Sequence, residues 1–225
     1  MARTNTLVRK SARVVAGVAI GLVVLFSIVA NDVRATPLER SNCYSKDVMR
    51  RIEGCTELLN SPFLAPTARA EAYALRALAL SLVGRYDEAI GDYDLALQIQ
   101  PDHAVTLNNR AWALFKMGRI QEAVPDVEKS IRRDGTSPHA FDTRAHLRQA
   151  LGASDGAYQD YRKAMDLGGT NLIRLYQCGL QAHGLYQGPV SGIFSASLDS
   201  ALKACVKRQD CDPLPPDEEC KAALS

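Results

Sequence analysis

A self-similarity of fixed period, running from Ala70 to Gly169, constrains this chain more than any other feature. Arg76-Ala77, Arg110-Ala111 and Arg144-Ala145 recur at equal intervals, and Gly84, Gly118 and Gly152 fall in the same register. So do Ala89, Ala123 and Ala157, and Asp92, Asp126 and Asp160. A period of about 34 residues marks an array of helical hairpins, since one hairpin alone cannot bury its apolar face and must stack on its neighbours. Such arrays present an extended groove. They hold things more often than they transform them.

Within each unit the glycine separates two helical patterns. Ala70 to Val83 carries apolar residues at three- and four-residue spacing, and Tyr86 to Ile99 does the same after the Gly84-Arg85 turn. Pro101 ends the second helix, because its ring cannot continue one. Small Ala77 and Ala89 let the two helices approach closely, while Tyr73, Leu80 and Tyr93 fill the remaining space. Arg76, Arg110 and Arg144 precede Asp92, Asp126 and Asp160 by one constant offset, which predicts an ion pair across each hairpin with bidentate geometry open to it. Recurrence in every unit makes these pairs structural.

These residues resemble the tetratricopeptide repeat. The first unit has Tyr73, Ala77, Gly84, Tyr86, Ala89, Tyr93, Ala96 and Pro101 at the family's positions. The second keeps Leu107, Ala111, Gly118, Ala123 and Val127, and departs at Ser130, at Gly135 and at Pro125 inside its second helix. The third keeps Phe141, Ala145, Gly152, Ala157, Tyr161 and Ala164. The resemblance implies an all-α solenoid of three repeats over 70–169, with a groove lined by first helices that binds a protein or peptide. Some members clamp a C-terminal carboxylate with lysine and asparagine side chains; here Asn109 matches that set, whereas Ala74, Leu78, His139 and Thr143 do not.

The expected groove is lined by Glu71, Ala74 and Leu78, then Val105, Asn108, Trp112, Phe115 and Lys116, then His139, Asp142, His146 and Gln149. Trp112 and Phe115 offer aromatic surface of the kind that anchors interfaces, although a large apolar side chain also serves to pack against the next unit. His139, Asp142 and His146 lie on one helical face that could hold a divalent metal, but no further ligand is evident, and they read as polar groove residues. No metal or other cofactor is implied.

Ahead of the array, Val48-Met49, Ile52, Cys55 and Leu58-Leu59 read as the second helix of a worn extra unit, so residues 36–69 form an N-terminal capping segment. A Cys43–Cys55 bond would tie the incoming chain to that helix, and similar exported bacterial repeat proteins resemble this chain here, with a Cys…Cys-Thr pair before the first full unit. Residues 1–35 read as a signal peptide or an uncleaved anchor: Arg3, Arg9, Lys10 and Arg13 precede the apolar run Val14–Ala30, and Val33-Arg34-Ala35 offers a cleavage site. Either way the rest is exported, which places it in the periplasm. Without this leader the net charge of +2 becomes −2, so no basic surface favours nucleic acid. All six cysteines lie in the exported part, and an even count there argues for three disulfides rather than a zinc site, for which no C-x-x-C pair exists.

After Gly168-Gly169 the pattern changes. Gln177, Leu180, Gly184, Tyr186, Gly188, Pro189, Val190, Gly192, Ile193, Phe194, Ala201 and Leu202 resemble the small three-helix peptidoglycan-binding domain of cell-wall enzymes. Ser191, Ser195 and Cys205 depart from it. The resemblance assigns residues 170–225 to such a module with a cysteine-rich tail, and implies a glycan- or stem-peptide-binding loop of Tyr186, Gly188, Ser191, Gly192 and Phe194. Cys205–Cys211 with Cys178–Cys220 is the favoured pairing there, although four cysteines allow three. The chain shows no nucleophile motif and no phosphate-binding loop. It is expected to be a non-catalytic envelope protein that holds a partner in its groove and docks on cell wall, or alternatively a pure interaction scaffold in which the last module is only a cap.

Overall fold

The computed structural model describes residues 42–214 and Cys220; the expected leader lies outside them. Among these residues there are eight helices and no strand: α1 (Val48–Leu59), α2 (Pro66–Leu82), α3 (Tyr86–Ile99), α4 (Ala104–Lys116), α5 (Ile120–Arg133), α6 (Pro138–Ala150), α7 (Ser154–Ala182) and α8 (Ala196–Cys205). The fold is the expected all-α solenoid. Helices α2–α3, α4–α5 and α6 with the first part of α7 form the three hairpins, and α1 caps the first. Of the three helices expected for residues 170–225, two lie among the described residues: the second part of α7, and α8.

Local chemistry sets the helix ends. Pro66 and Pro138 open α2 and α6, where a missing N–H costs nothing. The Asp47 carboxylate accepts the Arg50 N–H at 2.9 Å and the Ser195 hydroxyl accepts that of Leu198 at 3.2 Å. Gly84, Gly118 and Gly152 close the hairpins at φ 77°, 74° and 77°, a region in which only glycine is unstrained. Helix α5 runs through Pro125. Gly169, at φ 62° and ψ −155°, breaks α7 into two helices.

The recurring arginines do more than bridge their own hairpins. Arg76 grips Asp92 through two bonds of 2.6 and 2.8 Å, Arg110 grips Asp126 at 2.6 and 2.7 Å, and Arg144 grips Asp160 at 2.8 Å twice. The third guanidinium nitrogen then reaches back to the preceding unit. Arg110 donates to Asp94 at 2.6 Å, Arg144 donates to Glu128 at 3.1 Å, and Arg76 donates to Thr56 of the cap at 3.0 Å. One planar fork with five donors thus fixes both the hairpin angle and the stacking of units.

Three apolar clusters follow one another along the solenoid. Cys43, Cys55, Leu58, Leu59 and Ala72 form the first, and Cys43 is bonded to Cys55. Ala77, Leu80, Tyr93, Ala111, Leu114 and Val127 belong to the second. The third runs without interruption from the third unit (Ala157, Tyr161, Met165) into the C-terminal residues Leu172, Tyr176, Leu198 and Leu202. The last hairpin and the C-terminal helices therefore share one core.

Candidate partner-binding groove

The first two units leave several of their groove positions open. Val105 is 58% exposed, as is Leu82 at 60%, which stands one period before the groove residue Lys116; Glu71 and Lys116 are exposed, and Ala74 and Leu78 are half-buried. Asn108 is buried and its Oδ1 has no hydrogen-bond partner among the described residues, while Asn109 is half-buried beside it. Trp112 is half-buried as well. Its ring lies 5.2 Å from Phe115 and meets the His146 ring edge-on at 5.2 Å, and the Lys116 ammonium sits 5.5 Å above it. Trp112 and Phe115 therefore seal the joint between the second and third units and offer only part of their surface to a partner.

The third unit is different. His139 is exposed, but Asp142, His146 and Gln149 are buried, because the chain's own C-terminal residues fill the groove here. Tyr176 of α7 donates its hydroxyl to Asp142 Oδ1. His146 places Nδ1 2.9 Å from the Asp142 carbonyl oxygen and Nε2 2.9 Å from Asp212 Oδ1. Both ring nitrogens face acceptors, so the ring is satisfied only as an imidazolium. Burial favours the neutral ring, yet Asp142 and Asp212 outweigh it and raise the His146 pKa to about 9. Burial pushes the Asp142 carboxyl up, while the His146 bond holds Asp212 below the usual carboxylate range against its own burial.

Gln149 completes the seat. Its amide donates to the carbonyls of Arg208 and Cys211, each at 2.7 Å, and its Oε1 accepts the Tyr161 hydroxyl at 3.0 Å. His183 Nε2 lies 2.9 Å from the Asp212 carbonyl oxygen, and Pro213 is fully buried. The expectation of an open polar face at His139, Asp142 and His146 is therefore corrected: two of the three are committed to intramolecular bonds. Among the described residues no group of His, Cys, Asp or Glu has the arrangement of a metal site.

The loop residues singled out for wall binding are placed largely inside the C-terminal fold. Tyr186 is buried, donates its hydroxyl to the Pro189 carbonyl at 3.0 Å, and crowds Gly188 so closely that an added Cβ would stand 2.4 Å from that hydroxyl. Gly192 is at φ 75° and its N–H donates to the buried Gln177 at 2.8 Å. Ser191 bonds within the same turn, and Phe194 lies under the Arg162 guanidinium at 3.8 Å. Ile193, 68% exposed, is the one large apolar side chain this loop presents to solvent. The disulfides Cys178–Cys220 and Cys205–Cys211 are both present.

A stacked array of helical hairpins, closed by glycine turns at equal intervals, thus exists as structure as well as pattern. Residues 68–134 match the model of the tetratricopeptide repeat. The match spans the first two units, and the third reproduces their helices, turn and arginine pair. No curated protein matches the chain in sequence. Among solved structures, the crystal structure of MamA superposes with TM-score 0.51 at 20% identity, over 64% of this chain and 82% of that one. MamA 41-end from Desulfovibrio magneticus RS-1 gives 0.52 at 16% identity, over 64% of this chain and 78% of that one. These likenesses concern the fold.

The groove of this solenoid has two environments. The N-terminal part is open and sets apolar Leu82 and Val105 beside Glu71 and Lys116; the C-terminal part is closed and ionic. Asp212, Tyr176 and His183 complete the closed part, and sequence reasoning missed them because they lie far along the chain from the groove positions Asp142 and His146. The i, i+4 spacing of Asp142 and His146 is the same for an exposed polar face as for a buried ion-paired one, so it carried no signal of the third partner.

Proposed function

We propose that this chain is a non-catalytic scaffold of the bacterial cell envelope, whose groove over the first two repeats binds a protein or peptide partner while its C-terminal module closes the solenoid. The carrying observation is the contrast along the groove. Leu82, Val105 and Lys116 remain accessible, whereas Asp142, His146 and Gln149 are already occupied. Three disulfides agree with an oxidising compartment, and the leader-like residues 1–35 with the periplasm. No helix among the described residues is long and apolar enough to cross a membrane.

A photo-crosslinking residue at Val105 tests the groove against the same residue at Leu95, which is 39% exposed on a second helix. A partner captured in cells from Val105 and not from Leu95 is expected. Identical capture from both, or none from Val105, removes the groove reading. Wall association through the C-terminal module remains a second reading on the strength of exposed Ile193. Co-sedimentation of the oxidised chain with purified peptidoglycan sacculi decides it: Ile193→Ser abolishes pelleting if the loop binds wall, and no pelleting of the parent chain leaves the module as a cap.

A further inference from the structure

We propose that Asp212–Leu214 is a releasable strap over the third repeat's groove, latched by the Asp212–His146 ion pair, and that an acidic peptide segment takes its place and extends the partner surface from two units to three. This rests on the groove being the partner site. The strap occupies the positions a groove ligand would use: its carboxylate lies on His146, the adjoining backbone carbonyls of Cys211 and Arg208 lie on Gln149, and Pro213 is buried against the unit. Pro213 and Leu214 hold it by packing and Asp212 by its bond to His146, and solvent reaches that latch. The Asp212 side chain is 41% exposed while that of His146 is 5% exposed.

Both flanks of the strap are covalently tied. Cys211 is bonded to Cys205 of α8, and Cys220 to Cys178 of α7, so the strap can lift without leaving. A tethered occupant reseats as soon as the groove empties, because its effective concentration stays high. The charges facing His146 decide what can replace it. Asp142 Oδ2 lies 3.5 Å away on α6, and the Tyr161 ring of α7 packs at 5.2 Å. Tyr176 and His139 act on Asp142, and Lys116 of α4 acts on Asp212. An apolar segment would strand a buried imidazolium, whereas a carboxylate pairs with it as Asp212 does.

Amide exchange of the full oxidised chain at pH 7, read by mass spectrometry, tests the strap without any natural partner. Asp212→Asn is expected to accelerate exchange across residues 206–214 about tenfold, the response to losing about 1.4 kcal/mol of latch energy, with α2 and α3 unchanged. Lys116→Met, at an exposed position, gives a smaller acceleration in the same place. A synthetic acetylated Ser-Asp-Pro-Leu amide in excess accelerates it in the parent chain, and its Ser-Asn-Pro-Leu counterpart does not. Parent-like exchange in Asp212→Asn, or acceleration spread over every helix, makes the segment a permanent cap and overturns the strap. Either result leaves the Val105 cross-linking test of the open groove standing.

Discussion

At the residue scale, the arginine forks and the buried histidine carry most of what is particular to this chain. The Asp126 side chain is 10% exposed and that of Arg110 24%, so removing the guanidinium strands a carboxylate that water barely reaches. Arg110→Ala is expected to cost about 2–4 kcal/mol in urea unfolding, since a broken partly buried pair leaves an uncompensated charge. Arg110→Lys keeps the charge but not the fork, and loses either Asp126 or Asp94; about half that cost is expected. Equal stability of the lysine variant and the parent would show that charge, rather than fork geometry, holds the units. For His146 the folded pKa of about 9 stands above its ordinary 6.5. Its contribution is therefore complete below the lower value and is lost as pH rises through the upper one. Urea midpoints are expected to fall between those pH values by the equivalent of about 2–3 kcal/mol, and His146→Gln flattens that slope. A parent chain with no slope in this window would mean that the ring is neutral when folded.

At the scale of elements, helices, turns and ion pairs were legible in the sequence because each depends on neighbours within one hairpin. The fixed period placed the glycine turns, and the constant offset from arginine to aspartate placed each pair. The reach of those arginines into the preceding unit was not legible, because Asp94 and Glu128 do not repeat as one residue type. Nor was the filling of the third groove, which depends on a tail that returns over a long separation. Glycines illustrate the same division. Gly91 in α3 has nothing within 4 Å of an added Cβ, so Gly91→Ala is expected to stabilise by about 0.5–1 kcal/mol through helix propensity alone. At Gly192 a Cβ would stand 2.4 Å from Thr170 Cγ2 and 2.8 Å from its carbonyl oxygen, on a backbone at positive φ. Gly192→Ala is expected to cost about 2–3 kcal/mol. Thermal unfolding of the two variants side by side checks the pair, and a Gly192→Ala chain as stable as the parent would mean that this loop is not held against α7.

Across the described solenoid, stability is expected to be graded rather than uniform. The cap has a small cluster of its own, the first two units share a second, and the third unit is fused to the C-terminal helices in a continuous core. In a stacked array each unit is supported by its nearest neighbours, so a loss at one end need not spread to the other. The N-terminal end depends on the Cys43–Cys55 bond and on Gly54, where an added Cβ would stand 2.3 Å from Asn42 Cβ. The double substitution Cys43→Ser, Cys55→Ser removes a cross-link of the size that contributes about 3 kcal/mol in small loops. Faster amide exchange is therefore expected in α1 and the start of α2, whose cores the cap completes, with α6, α7 and α8 keeping parent-like protection. The opposite end has its own device, because α7, α8 and the Asp212 segment cover the last hairpin face that the array would otherwise leave bare. Acceleration of equal size in all eight helices would show instead that the solenoid unfolds as one cooperative body, and that the arginine forks couple its units more tightly than its separate cores divide them.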